Sequence, residues 1–168
     1  MNRRVVLLSF ASLLVILVSF GLLAIPQFIL ENGTNHYDIN GYQFFFNAGS
    51  DLYKGSLKPQ HVSGLGIASI VLMALAIVSY VFAYQSSAFS LFGGLLSVAS
   101  SVLFFCMNLS KNEVYGHFRS RVEVGWVAYV IGGLLVVSGL LAIYGSIKLM
   151  LQEKKVIASS KSYSYIKK

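Results

Sequence analysis

Charge is scarce in this chain and missing from its longest apolar stretches. Asp, Glu, Lys and Arg together make up 11% of the 168 residues, under half of the roughly 25% usual in soluble domains. Pro59 to Ser110 carries no formal charge at all. Hydrophobic residues account for 56%, so a water-soluble chain of this length would leave large apolar patches exposed. That excludes an ordinary soluble domain. Cysteine is nearly absent too. The single Cys106 cannot form an intramolecular disulfide or an all-cysteine metal site, and reads as a small apolar packing residue.

Chemistry-bearing patterns are also lacking. There is no G-x-S-x-G, no P-loop and no conspicuous acid–base pair. Ion-coupled transporters and proton relays place ionisable groups within the membrane. Here the intramembrane polar set is serine: Ser9, Ser12, Ser19, Ser69, Ser79, Ser97, Ser100, Ser101 and Ser138. Serine can bond back to its own helix, so it points to no coupled transport and no membrane hydrolase. The three histidines, His36, His61 and His117, fall in connecting segments at spacings that match no metal motif. No cofactor is expected, and no metal.

What the chain does have is four uncharged apolar runs, Val5–Ile25, Gly64–Tyr84, Phe89–Leu109 and Val124–Ile147. Each matches the roughly 20 helical residues needed to cross a hydrocarbon core of about 30 Å, and a helix satisfies its own backbone within one segment. The expected fold is an all-α transmembrane four-helix bundle over residues 1–150, followed by a basic tail over 151–168. Val5–Ile25 exceeds the h-region of a signal peptide and reads as a retained signal anchor. The basic termini are Arg3 and Arg4 at one end, and Lys148, Lys154, Lys155, Lys161, Lys167 and Lys168 at the other. By the positive-inside rule both are cytoplasmic, and the connections 26–63 and 110–123 face outward. Tyr84-Gln85-Ser86-Ser87 is the only polar break between runs two and three, which should form an antiparallel hairpin. Tyr80, Tyr84, Trp126 and Tyr144 fall near the expected membrane interfaces. Ala158–Lys168, rich in Ser, Lys and Tyr, reads as disordered in water.

Three features suggest contacts. Asn40-Gly41 reads as a type I′ turn, which pairs Ile39 with Tyr42, Tyr37 with Phe44 and Asn35 with Phe46. The result is a small β-hairpin in the first outer loop. Its face of Tyr37, Ile39, Tyr42, Phe44 and Phe46 is expected either to lie on the bundle ends or to bind a partner. Gly125, Gly132, Gly139 and Ser146 recur every seven residues in the last run, with Gly133 and Gly145 beside them. Such small residues let membrane helices approach closely. Lys148, Lys154 and Lys155 lie just inside the membrane and are candidates for contact with anionic lipid.

Four spans with a partly β first outer loop resemble the claudin-like tetraspan layout in topology. The outer-loop Trp, Gly-Leu-Trp and paired cysteines of that family have no counterpart here, where Trp126 is the only Trp. No family assignment follows. The expected function is that of a non-enzymatic accessory or scaffold subunit. The alternatives are a small-solute or lipid-translocating protein and, last, a membrane enzyme using the loop histidines. The expected partners are the bilayer and either another membrane protein or a second copy, with no nucleic acid. The short, cysteine-poor loops suit a multi-pass protein of a bacterial plasma membrane.

Overall fold

The computed structural model describes residues 3–32, 35–46, 62–109 and 122–166. The protein is mostly helical, with one small sheet. Helix α1 (Arg3–Leu22) leads into β1 (Pro26–Asn32) and β2 (Asn35–Asn40), then a short helix α2 (Gly41–Phe46). Helices α3 (Gly64–Val81) and α4 (Ser87–Phe105) follow, then β3 (Val122–Val124) and the long α5 (Trp126–Ile166). Among the described residues three stretches are long and apolar enough to cross a membrane: Gly64–Tyr84, Ser87–Phe105 and Trp126–Gln152. In α1 the apolar helical stretch is shorter, Val6–Leu22.

Local chemistry sets the helix boundaries. Ser63 caps α3, its Oγ accepting from the Gly66 amide at 2.9 Å. At its far end α3 tightens into a 3-10 turn over Phe82–Tyr84. Ser86, in extended conformation, then caps α4 by accepting from the Ala88 amide at 3.2 Å. Each cap satisfies an amide that has no partner in the first helical turn. The tight turn therefore falls at the polar break expected from the sequence.

The four long helices pack side by side in the cyclic order α1, α5, α4, α3. Of the neighbouring pairs in that order, contact is most extensive between α4 and α5 and smallest between α1 and α3. All the strands lie at one end. β1 is the central strand, antiparallel to β2 on one side and to β3 on the other. Because β1 directly follows α1 and β3 directly precedes α5, the sheet fastens those two helix ends together. The Gly125 amide donates to the Gln27 carbonyl oxygen at 2.6 Å.

The hairpin register corrects the sequence expectation. β2 pairs with β1, with Phe28 opposite Ile39, Ile29 opposite Asp38 and Leu30 opposite Tyr37. Residues 42–46, expected to be its partner strand, are helical. The reason lies two residues beyond Asn40-Gly41. The Gln43 amide donates to Asn40 Oδ1 at 2.8 Å, and the Asn40 amide donates to Gln43 Oε1 at 3.1 Å. This reciprocal pair is a capping box, which starts a helix. The Asn-Gly pair therefore opens α2 and makes no hairpin turn.

Helix α2 anchors the sheet to the bundle through aromatic packing. Phe44 stacks on Phe28 with centroids 3.7 Å apart, and Phe45 meets Phe104 of α4 edge-on at 6.1 Å. Phe28, Ile39, Phe44, Phe45 and Phe104 are all fully buried or nearly so. Gly66, in the first turn of α3, leaves the space that the Phe45 ring occupies, and a Cβ there would overlap the ring.

The tail also differs from expectation. α5 continues unbroken through 41 residues to Ile166, about 60 Å at 1.5 Å per residue. Helix formation is costly to nucleate but not to extend. The packed part of α5 supplies the nucleus, and Gln, Glu, Lys and Ala in its continuation favour helix.

Candidate functional site

The most unusual feature of the interior is a chain of hydroxyl groups that joins all four long helices. Ser138 of α5 donates from Oγ to the Ser12 carbonyl oxygen of α1 at 3.0 Å. The Tyr80 hydroxyl of α3 lies 3.2 Å from Ser138 Oγ and 2.9 Å from Ser97 Oγ of α4. Counting protons fixes the direction. A hydroxyl has one hydrogen, and that of Ser138 is used on Ser12. Tyr80 therefore donates toward Ser138, whose carbonyl oxygen also lies 3.5 Å from its hydroxyl, and accepts from Ser97. The chain runs Ser97 to Tyr80 to Ser138 to the Ser12 carbonyl, where it ends.

This arrangement corrects the sequence view of Tyr80. It stands near the end of α3, as interface tyrosines do, but its ring turns inward and is buried. Gly93 makes room for it, since a Cβ there would sit 2.8 Å from the ring. The absence of a side chain at 93 is the sequence signal that could have revealed the path. Tyr84 and Tyr144 are exposed, the latter with the Lys148 ammonium 5.6 Å from its ring centroid. Trp126 is 74% exposed at the sheet end.

The serines divide between two roles. Ser12, Ser19, Ser79 and Ser146 bond back to carbonyls four residues earlier, and Ser69 to one three residues earlier. Others cross between helices. Ser9 of α1 lies 2.8 Å from Ser90 of α4, and Ser100 of α4 donates to the Ser69 carbonyl of α3 at 3.0 Å. Two buried polar atoms, Gln27 Oε1 and Ser101 Oγ, have no partner among the described residues.

The small-residue stripe of α5 touches different neighbours along its length. At Gly139 a Cβ would stand 2.8 Å from the Gly94 carbonyl oxygen and 2.6 Å from Val98 Cγ2. Gly94 returns the contact, 2.9 Å from the Gly139 carbonyl oxygen. Gly132 faces the Phe105 ring at 3.1 Å, and Gly145 faces Leu8 of α1 at 3.1 Å. Gly125 differs: it precedes α5 and packs on the β1 backbone at Gln27, closing the sheet rather than a helix pair. Nothing lies within 4 Å of a Cβ at Gly133.

The five residues expected on one partner-binding face are split by the observed register. Ile39 and Phe44 are buried in the chain's own core, while Tyr37 and Phe46 are exposed. Tyr42 is half-buried and donates its hydroxyl to the Phe20 carbonyl oxygen at 3.0 Å. Desolvation by burial raises its pKa above the usual tyrosine value. Phe45, left off that face by the alternation reading, is a core residue. Of the histidines, His36 is exposed, and His61 and His117 lie outside the described residues. Among the described residues no three metal-ligating side chains cluster. Lys148 and Lys154 are exposed, and Lys155 lies within α5.

A groove of about 260 Å³ opens on the side of the bundle between α1 and α3, at the end away from the sheet. Val6, Phe10 and Leu13 form one wall, and Val81, Ala83 and Tyr84 the other. Its floor meets the hydroxyl groups at Ser9 and Tyr80. Compared with known proteins, the chain matches no family model and no curated protein sequence.

Proposed function

We propose that the chain is a four-span membrane protein of a bacterial plasma membrane that acts through contacts, as an accessory or scaffold subunit, and catalyses nothing. In this reading α1 is the fourth span. Its 17 apolar residues, Val6–Leu22, reach about 25 Å, a shortfall against a core of about 30 Å that a bilayer accommodates by thinning locally. Both termini lie in the cytoplasm, following the basic residues there. The sheet and α2 lie outside, with the exposed Trp126 at the interface.

The observation that carries the contact role is the rigid cap. Sheet and α2 are fixed to the bundle by Phe28, Phe44, Phe45 and Phe104, yet Tyr37 and Phe46 project from it exposed. A platform held this firmly can present aromatic side chains to a partner at little entropic cost. The interior supports the same reading. Its hydroxyls are largely engaged with one another or with backbone, and Gly94 and Gly139 bring α4 and α5 into direct backbone contact.

Topology is tested by cysteine labelling. In a Cys106→Ser background with single cysteines at Ser50, Ser86, Ser120 and Ser160, an impermeant thiol reagent on intact cells labels 50 and 120 only. Labelling at 160 from outside reverses the orientation.

The contact role is tested by purification from native membranes in mild detergent. A stoichiometric partner is expected with the wild type and is lost in the Tyr37→Ser, Phe46→Ser double variant, which keeps its melting temperature. A homo-oligomer with no partner that carries solute or lipid flux in liposomes replaces the scaffold reading with translocation.

A further inference from the structure

We infer that the interior of the bundle binds one ordered water molecule between Ser97 and Ser101 of α4, and that this water heads the hydroxyl chain ending on the Ser12 carbonyl.

Ser101 leads to this site. It is 1% exposed, and its Oγ has no hydrogen-bond partner among the described residues. A buried hydroxyl left unmatched is costly and rare. A helix offers a remedy, since a serine can bond back to the carbonyl four residues earlier. Ser12, Ser19, Ser79 and Ser146 all do so. Ser101 does not, so its oxygen is turned away from its own backbone and into the packed interior.

Ser97 has the complementary need. The one hydrogen of its hydroxyl goes to Tyr80, and no other described group bonds to its Oγ. Ser101 therefore has a hydrogen to give and Ser97 has lone pairs to fill. Both side chains are buried, and residues four apart share a face of α4.

The spacing fits one water. Positions four apart rise about 6 Å along a helix, with Cβ atoms about 5–6 Å from each other. Two hydrogen bonds of about 2.8 Å meeting at one oxygen span about 5.6 Å. The water accepts from Ser101 and donates to Ser97 Oγ. Its second hydrogen goes to the Ser97 carbonyl oxygen, whose helical bond to the Ser101 amide leaves a lone pair. That gives the water three partners, about the number usual for buried water. A metal cation suits the site less well, because α3 and α4 carry no carboxylate. The completed chain runs from Ser101 through the water to Ser97, Tyr80, Ser138 and the Ser12 carbonyl.

The test is water-edited solid-state NMR on the full chain, with isotope-labelled serine, in liposomes of deuterated lipid. Magnetisation passes from water to protein and is read at each serine. In the wild type Ser97 and Ser101 receive it early, whereas Ser19, buried and bonded to its own backbone, receives it late. Ser101→Ala abolishes the early transfer at Ser97. Late transfer at both positions in the wild type overturns the water. Early transfer at Ser97 that survives in Ser101→Ala overturns the bridge. Room at the site is checked by thermal unfolding in detergent. Ser101→Val puts carbon where the hydroxyl and the water stand, and it melts no lower than Ser101→Ala. A much lower melting temperature for Ser101→Val means that side chains already fill the space, and it overturns the site.

Discussion

Gly139→Leu is expected to destabilise the bundle by about 3 kcal/mol, the upper end of the range for overpacking. The atom in the way is backbone. A Cβ at this position meets the Gly94 carbonyl oxygen at 2.8 Å, and Val98 closes the other side at 2.6 Å. Neither helix can relieve the overlap by turning a side chain, so α4 and α5 must separate, and their contact is the most extensive in the molecule. Two other glycines of the same helix give graded controls. Gly132→Leu meets only the ring of Phe105, which is itself half exposed and can swing away. Its cost is about 1 kcal/mol. Gly133→Leu enters open space and should stay within about 0.5 kcal/mol of wild type. Thermal unfolding in detergent, followed by circular dichroism, should rank the melting temperatures with Gly139→Leu lowest and Gly133→Leu highest. Equal melting of all three variants would mean that the α4–α5 contact is absent in the folded protein.

The second large effect is at Phe45. Phe45→Ala removes a fully buried ring from contact with Phe28, Phe44 and Phe104. A truncation of this kind costs about 3–5 kcal/mol. The neighbouring Phe46 is 48% exposed, and Phe46→Ala should change stability by no more than about 0.5 kcal/mol. These two variants separate helix from strand at this segment. In a strand, 44 and 46 share one face and 45 points to the other, so the costs at 45 and 46 would be reversed. Chemical denaturation of the purified protein, read by the near-ultraviolet signal of the aromatic cluster, measures both. A severe Phe46→Ala with a mild Phe45→Ala would restore the strand register and dismantle the cap.

The sequence by itself determined three membrane-compatible helices, α3, α4 and α5, while the apolar helical stretch of α1 is shorter than the run expected there. Uncharged runs of the right length are a one-dimensional signal, and the bilayer criterion acts on each run separately. The α3–α4 turn was legible for the same reason, since Gln85 and Ser86 interrupt an otherwise apolar stretch. The glycine positions of α5 were legible as places of close approach, but the identity of the neighbour was not. Periodicity names a face and leaves its partner open. Gly139 proved to face α4, Gly145 to face α1, and Gly125 to face the sheet.

Where two local signals competed, the sequence alone did not decide. Asn40-Gly41 serves both as a hairpin turn and as the start of a capping box with Gln43. Tertiary structure chose the box, because β1 was available as the partner of β2 and the bundle end offered Phe104 and Gly66 to receive Phe45. The hydroxyl chain is the clearest case of what only tertiary structure decided. Ser12, Tyr80, Ser97 and Ser138 lie on four helices, far apart in sequence and with no shared spacing. A serine in an apolar run looks the same whether it bonds to its own helix, as Ser19 does, or to another, as Ser138 does. Only the packing of the helices brings Ser97 and Ser138 within 3.2 Å of the Tyr80 hydroxyl and joins Ser9 to Ser90 and Ser100 to the Ser69 carbonyl, while Ser19 and Ser79 keep to their own backbone.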